Sequence, residues 1–216
     1  MSHAMFPPSG AERWLRCAYS VKMSLLYLSK DTAASVNGTK HHAIAAVHLE
    51  QGTESRISGM NTYLNAVRGA AEGNQLFVER KVVIIPDLCW GTTDAMVVGD
   101  NWLNIFDLKW GKSIVHATDN PQEKLYAIGA LNEYPMPKAS PVRLSIAQPN
   151  AASGWPVKHW DTTVEHVLKF KDRVDAAVEA AMKPDPKAVA GSHCFWCQAK
   201  PHCNAYLRSL GGKKSA

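Results

Sequence analysis

Apolar positions recur at helical spacing over roughly the first third of the chain, then change period. Pro7-Pro8 precede Ser9-Gly10-Ala11-Glu12, a capping-box pattern that predicts a helix from about Gly10 into the Leu25–Leu28 region. Asn37-Gly38-Thr39 reads as a break. A second helix follows, holding His41, His42, His48 and Glu50, and a third runs from beyond Gly52-Thr53 toward Ala71 and stops at Gly73. From Leu76 the chain turns β-branched. Strands are predicted over Leu76–Ile85, Trp90–Val98 and Trp102–Trp110, the last two joined by a turn at Gly99-Asp100-Asn101. Asn120-Pro121 opens a helix that ends near Asn132, with Asn as cap and Pro in the first turn. Val142–Ala147 and Val157–Trp160 read as strands. Val164–Met182 is an amphipathic helix stopped by Pro184 and Pro186. Three consecutive strands imply a meander, and a helix crossover returns the fourth in parallel. The expected fold is α/β, a central mixed sheet with helices on both faces in the order αβββαβ.

Composition narrows the class without naming an activity. The chain has 216 residues, expected as one domain over 1–216 with its core at about 37–182, and an ordinary apolar fraction of 46%. No apolar run is long enough to span a bilayer, and no basic-then-apolar leader is seen, so no membrane partner and a cytoplasmic location are expected. The formal charge of +5 fits a nucleic-acid partner without establishing one. The tail Gly-Gly-Lys-Lys-Ser-Ala at 211–216 is expected to be disordered. Of five cysteines, three fall within ten residues, which favours a metal over disulfides; Cys89 reads as a small buried apolar residue.

The chemistry concentrates on the second predicted hairpin. Asp107 and Lys109 are two apart on a strand and share a face, while Leu108 points the other way with its carbonyl available at the strand end. A two-residue turn at Asp100-Asn101 sets Asp94 opposite Asp107, with Cβ atoms roughly 5 Å apart. A turn at Gly99-Asp100 leaves them diagonal on one face, and a three-residue loop without a bulge separates them. Carboxylates that close repel unless a cation lies between them, and hard oxygen ligands suit Mg²⁺ or Mn²⁺. Lys109 could orient or deprotonate a water, or neutralise charge developing on a phosphate. A surface ion pair presents the same letters. However, Leu103, Ile105, Phe106 and Leu108 make the strand apolar on both faces, hence central, where unpaired charge costs several kcal/mol. Gln122 and Tyr126 share a face of the next helix near its N-terminus, where backbone N–H groups suit a phosphate; Tyr126 as a core aromatic is the plainer alternative. His42 is a candidate second metal or phosphate contact, with His41 and His48 as competitors.

Cys194-Phe-Trp-Cys197 is a C-x-x-C followed by Cys203, and Cys17 is the candidate fourth ligand, contributed by the 9–28 helix to the 191–206 segment. His193 and His202 compete with it. Four thiolates suit Zn²⁺ or an iron–sulfur cluster. Joining Cys17 to this trio closes most of the chain and would remove on the order of 5 kcal/mol of unfolded-chain entropy.

Taken together, Ser-Gly-Ala-Glu-Arg-Trp-Leu-Arg-Cys at 9–17, Gly38-Thr39-x-x-His42, Gly91-Thr92-Thr93-Asp94-Ala95, Phe106 to Lys112, Asn120-Pro121-Gln122-x-x-x-Tyr126, Gln148-Pro149 and the cysteine trio resemble the RecB-like branch of the PD-(D/E)XK nuclease superfamily. Within it they look like a phage-encoded group of single-domain exonuclease-like proteins. The resemblance implies a restriction-endonuclease-like core. His42, Asp94, Asp107 and the Leu108 carbonyl would bind metal, Lys109 would be the catalytic lysine, and Gln122 and Tyr126 would lie at the DNA. It also implies a structural [4Fe–4S] cluster on Cys17, Cys194, Cys197 and Cys203, as in AddB-type nucleases. The chain departs from many relatives at Asn37 and Ala46, where acidic residues are expected; Glu50 and Glu79 are further candidate acidic groups. The expected function is a Mg²⁺- or Mn²⁺-dependent DNA exonuclease in phage or bacterial recombination or repair, with a single-strand annealing protein as a plausible partner. The alternatives are a non-cleaving DNA-end-binding module of the same fold and a zinc-bound adaptor. Polarity, strand preference and oligomeric state are not written in the sequence.

Overall fold

The computed structural model describes residues 4–28, 32–151 and 154–211. Its centre is a five-stranded sheet: β1 (Gln75–Ile85), β2 (Cys89–Val98), β3 (Leu103–Leu108), β4 (Pro141–Ala147) and β5 (Val157–Thr163), side by side in chain order. All neighbours are antiparallel except β3 and β4, which are parallel. The parallel return requires a crossover, supplied by α5 (Pro121–Glu133). The α/β expectation, a mixed sheet covered on both faces, is borne out. β3 is the middle strand and every one of its six residues is buried, as its unbroken apolar run implied.

Two cores form because strand side chains alternate faces. Met96, Leu103, Ile105 and Leu144 pack under α5 and α6 (Val164–Met182). Ala95, Val97, Phe106 and Leu108 pack under α3 (Ala33–Gln51) and α4 (Met60–Ala71). Each fully buried Leu or Ile contributes about 1.5–3 kcal/mol of transfer free energy, so this double layer holds the strands in register.

Three element boundaries differ from expectation. The first predicted helix is broken into a short turn (Pro8–Gly10), α1 (Ala11–Trp14) and α2 (Tyr19–Leu26). The Tyr19 N–H leaves the helical ladder and donates to Lys187 O at 3.1 Å, which ties the two chain ends together and turns Cys17 inward. Ser9 does not cap; Glu12 pairs with Arg16 at 2.6 Å instead. Asn37-Gly38-Thr39 is no break, since α3 starts at a Thr32/Ser35 capping box and runs through it. That cap, worth about 1 kcal/mol, offsets the similar cost of Gly38 in an exposed helix. The third helix begins only at Met60. Residues 212–216 of the expected disordered tail lie outside the described residues.

Candidate metal and phosphodiester site

The β2–β3 turn decides the site. Gly99 N–H donates to Trp102 O at 3.0 Å, leaving Asp100-Asn101 as a two-residue turn. The ladder then runs from Val98↔Leu103 to Ala95↔Phe106 and stops, so Asp94 and Asp107 are the next opposed pair. Beyond that point β3 leaves β2. Lys109 N–H donates to Ala147 O on β4 at 2.8 Å, and Leu108 N–H donates to Asp94 Oδ2 at 2.6 Å. A carboxylate therefore replaces a ladder acceptor at the fork. On the other side, Val78↔Ala95 and Arg80↔Thr93 bracket Glu79 opposite Asp94. Glu79 sits at φ 47, a left-handed conformation uncommon outside glycine. Glu79, Asp94 and Asp107 thus form an acidic row across three adjacent strands.

His42 reaches this row from α3, its Nδ1 2.8 Å from Asp94 Oδ1. Burial would lower its pKa, but the hydrogen bond and charge of Asp94 outweigh that and raise it. His41 instead stacks on Trp110, with centroids 4.0 Å apart, and His48 bonds Thr53 Oγ1 at 2.8 Å. Ligand atoms of His42, Glu79 and Asp94 lie within 4.8 Å of one another, the one such group of three among the described residues. Glu79, a subsidiary candidate in the sequence, joins the group. Asp107 stands one strand further in, and Leu108 meets the site through its N–H.

Asp107 is held by the neighbours that the sequence placed beside it. Gln122 Nε2 donates to its Oδ1 at 3.0 Å and to the Tyr126 hydroxyl at 3.2 Å, while Lys109 Nζ donates to Gln122 Oε1 at 3.1 Å. Lys109 Nζ also lies 2.8 Å from Asp107 Oδ2, an ion pair inside the buried part of the site. Burial pushes the Asp107 carboxyl up against the pull of Lys109. Burial also works against the Lys109 ammonium, but Asp107 overcomes it and holds the pKa above its ordinary value. A lysine so held suits orienting and neutralising roles.

The helix that carries Gln122 differs in one respect from expectation. Asn120 Oδ1 accepts from the N–H of Gln122 and Glu123, and Asn120 O accepts from Lys124 N–H. Pro121 has no N–H. That helix end consequently offers no free backbone donor to a phosphate. Tyr126 is 6% exposed, both core aromatic and site neighbour, and burial drives its hydroxyl pKa far up. Its ring and Pro8 crowd Gly91, where a Cβ would lie 3.0 Å from each.

Two further residues shape the surroundings. Gln148 grips the loop after Lys109, donating to Gly111 O (3.0 Å) and Ser113 O (2.7 Å) and accepting from Val115 N–H (3.0 Å). Glu123 is fully buried beside the site, neither carboxyl oxygen meeting an aligned donor. Burial first, and Asp107 second, raise its pKa well above normal. Glu123 went unnoticed in the sequence. Its signal was the spacing to Ala127, Ala130 and Leu131, which places it on the buried stripe of α5.

Cys17, Cys194, Cys197 and Cys203 line one pocket at the junction of the chain ends. Val189 N–H donates to Cys17 Sγ and Gly191 N–H to Cys194 Sγ, both at 3.4 Å. No three of these sulfurs lie within 4.8 Å of one another. Burial raises the Cys17 thiol pKa, partly offset by backbone N–H groups. His193 Nε2 is 2.9 Å from Val189 O, and His202 stacks on Tyr27, away from the pocket lining. Cys89 is isolated in the core, its thiol pushed up to about 12 by burial.

Set beside known proteins, residues 3–64 and 52–211 match the family described as "Protein of unknown function (DUF2800)". Among solved structures the chain is similar to the crystal structure of SSO0001, with 14% identity and a TM-score of 0.44 over 96% of this chain and 89% of that one. It is also similar to an alkaline exonuclease (LHK-Exo) from Laribacter hongkongensis, with 11% identity and a TM-score of 0.33 over 95% and 97%. Both likenesses are remote and leave the activity to be read from the chain's own geometry.

Proposed function

The chain belongs to the DUF2800 family, whose description assigns no activity, and from its site we propose that it is a divalent-metal-dependent DNA nuclease of the PD-(D/E)XK type, most simply an exonuclease. The observation that carries this is the acidic row Glu79–Asp94–Asp107 with His42 at one end and the Lys109–Gln122 pair at the other. Asp94 and Asp107 stand opposed at the strand fork beside Glu79, and this oxygen-rich donor set suits Mg²⁺ or Mn²⁺. His42, Glu79, Asp94 and Asp107 would hold it. When bound, such an ion polarises the scissile phosphate and lowers the pKa of a bound water. Lys109 neutralises charge that develops on the phosphate, and Gln122 fixes both Lys109 and Asp107 in place.

An iron–sulfur cluster on Cys17, Cys194, Cys197 and Cys203 is part of this reading, with Zn²⁺ as the alternative; its support is that all four line one pocket. The two N–H···S contacts are of the kind a ligated thiolate accepts. The cluster would be a structural staple. DNA recombination or repair, with a single-strand annealing protein as partner, follows from the resemblance alone.

The test is digestion of end-labelled single- and double-stranded DNA across a Mg²⁺ and Mn²⁺ titration, with protein purified without air. Cleavage abolished by Asp94→Asn and Asp107→Asn is expected. DNA left intact with every divalent metal would overturn the nuclease and favour a non-cleaving end-binding module. Iron absent and zinc present in stoichiometric amount would overturn the cluster.

A further inference from the structure

Phe195 and Trp196 lie between two of the pocket cysteines, yet each is 68% exposed. Their rings stand edge-to-face, with centroids 4.7 Å apart. Their backbone is pinned on every side. Cys197 N–H donates to Cys194 O at 3.0 Å, Lys200 Nζ to Phe195 O at 3.0 Å, and Arg13 Nη1 to Trp196 O at 3.4 Å. Lys200 also lies 5.5 Å from the Phe195 ring centroid. Two large rings are therefore presented to solvent on a loop that cannot fold them away.

Charge is distributed just as unevenly. Residues 9–28 and 187–211, which build this end of the molecule, contain Arg13, Arg16, Lys22, Lys187, Lys200 and Arg208 against Glu12 alone. Their net +5 equals the excess of the whole chain, so the remainder is balanced. Exposed aromatics amid cations are the elements of a nucleobase-stacking platform: rings take base faces, and lysine and arginine take the backbone. The same end is continuous with the cleavage site. α1 packs against both the cysteine loop and α5, which carries Gln122 and Tyr126, and Pro8 just before it touches the Gly91–Tyr126 contact.

We infer that Phe195 and Trp196, with the basic residues around them, form a docking surface for an unpaired nucleic-acid strand. Stacking on exposed rings needs bases that are not paired, so this surface selects a single strand or a frayed end over blunt duplex. The inference rests on the nuclease proposal only for its link to cleavage; binding is measured separately.

The experiment is fluorescence anisotropy of a labelled oligothymidylate with the full chain, purified without air, in EDTA and over a salt series. Phe195→Ala and Trp196→Ala are each expected to weaken binding roughly five- to hundredfold. Trp196→Phe and Phe195→Tyr should retain most of it, and visible absorbance should report an intact cysteine site. Lys22→Gln, at an exposed lysine, should lower the salt slope by about one unit times the single-strand factor of ~0.7, and an unchanged slope would count against the surface even if the ring variants misfold. Unchanged strand affinity in the alanine variants, equal affinity for a blunt hairpin duplex, or self-association that depends on Trp196 would each overturn the inference. Strand binding lost in Trp196→Ala while wild type never cleaves would sink the nuclease and keep the platform. Cleavage with ring-independent binding would do the reverse.

Discussion

Replacing Glu123 by Gln removes one titrating proton and almost no volume, at a side chain with no exposure and no aligned partner on either oxygen. Burial, then Asp107, raises this carboxyl well above its ordinary 4.5; the nearby Ser145 backbone and Lys109 offset part of the cost. A carboxyl whose folded pKa is raised holds its proton more tightly in the native state. Its contribution to stability is complete below the unfolded pKa and is lost as pH rises toward the folded one, at about 1.4 kcal/mol per pH unit. The loss therefore accumulates with pH from the unfolded pKa upward, and the thermal midpoint falls with it. The assay is urea unfolding at several pH values in EDTA, comparing midpoints of wild type and Glu123→Gln. The two should nearly coincide near pH 5, because a protonated acid and an amide are similar buried groups, and Glu123→Gln should lead increasingly as pH rises. Asp107 and Glu79, whose pKa values are also raised, tilt both proteins alike. A midpoint difference that stays constant with pH, or grows in favour of wild type, refutes a buried neutral Glu123.

Three other outcomes are expected. Glu79→Gln should remove repulsion from the acidic row and stabilise the metal-free protein by about 1 kcal/mol, the small value suiting an exposed carboxylate, while reducing the thermal shift on adding Mn²⁺. Gly129→Ala should destabilise by about 1–3 kcal/mol in urea unfolding, since its Cβ would sit 2.9 Å from Val82 Cβ and 3.3 Å from the Val82 backbone. Cys17→Ser should lower the thermal midpoint and bleach any visible absorbance, whereas Cys89→Ser should leave the absorbance unchanged.

The sequence disclosed most where few local solutions existed. Of the three turns open at Gly99-Asp100-Asn101 the structure uses Asp100-Asn101, which sets Asp94 opposite Asp107. Asn120-Pro121 fixed the start of α5, hence the reach of Gln122, with the Tyr126 hydroxyl against it, to Asp107. It disclosed less where two local signals competed. Gly38 looked like a break until the Thr32/Ser35 cap outweighed it. The first helix looked continuous because nothing in its own letters says that Lys187, far along the chain, takes the Tyr19 N–H. Glu79 could be suspected but not placed, since its left-handed backbone depends on a paired strand on one side and the site on the other. The Leu108 N–H, which the sequence did not single out, donates to Asp94 Oδ2.

The charges near the fork explain why one carboxyl is buried neutral and why a cation is the natural completion. Glu79, Asp94, Asp107 and Glu123 bring four carboxyl groups together; Lys109 and His42 are the cationic or protonatable groups that contact the row. Two unit charges near 4.8 Å interact by about 3.5 kcal/mol at an effective dielectric of 20, so four ionised carboxylates against two partners would strain the sheet they stand on. Burial raises the Glu123 pKa and so favours its neutral form, which lessens the negative charge. Lys109 offsets Asp107, and the rest of the imbalance falls on Glu79 and Asp94, which His42 relieves from one side. A divalent ion placed there would convert the repulsion between these two carboxylates into shared attraction to one cation.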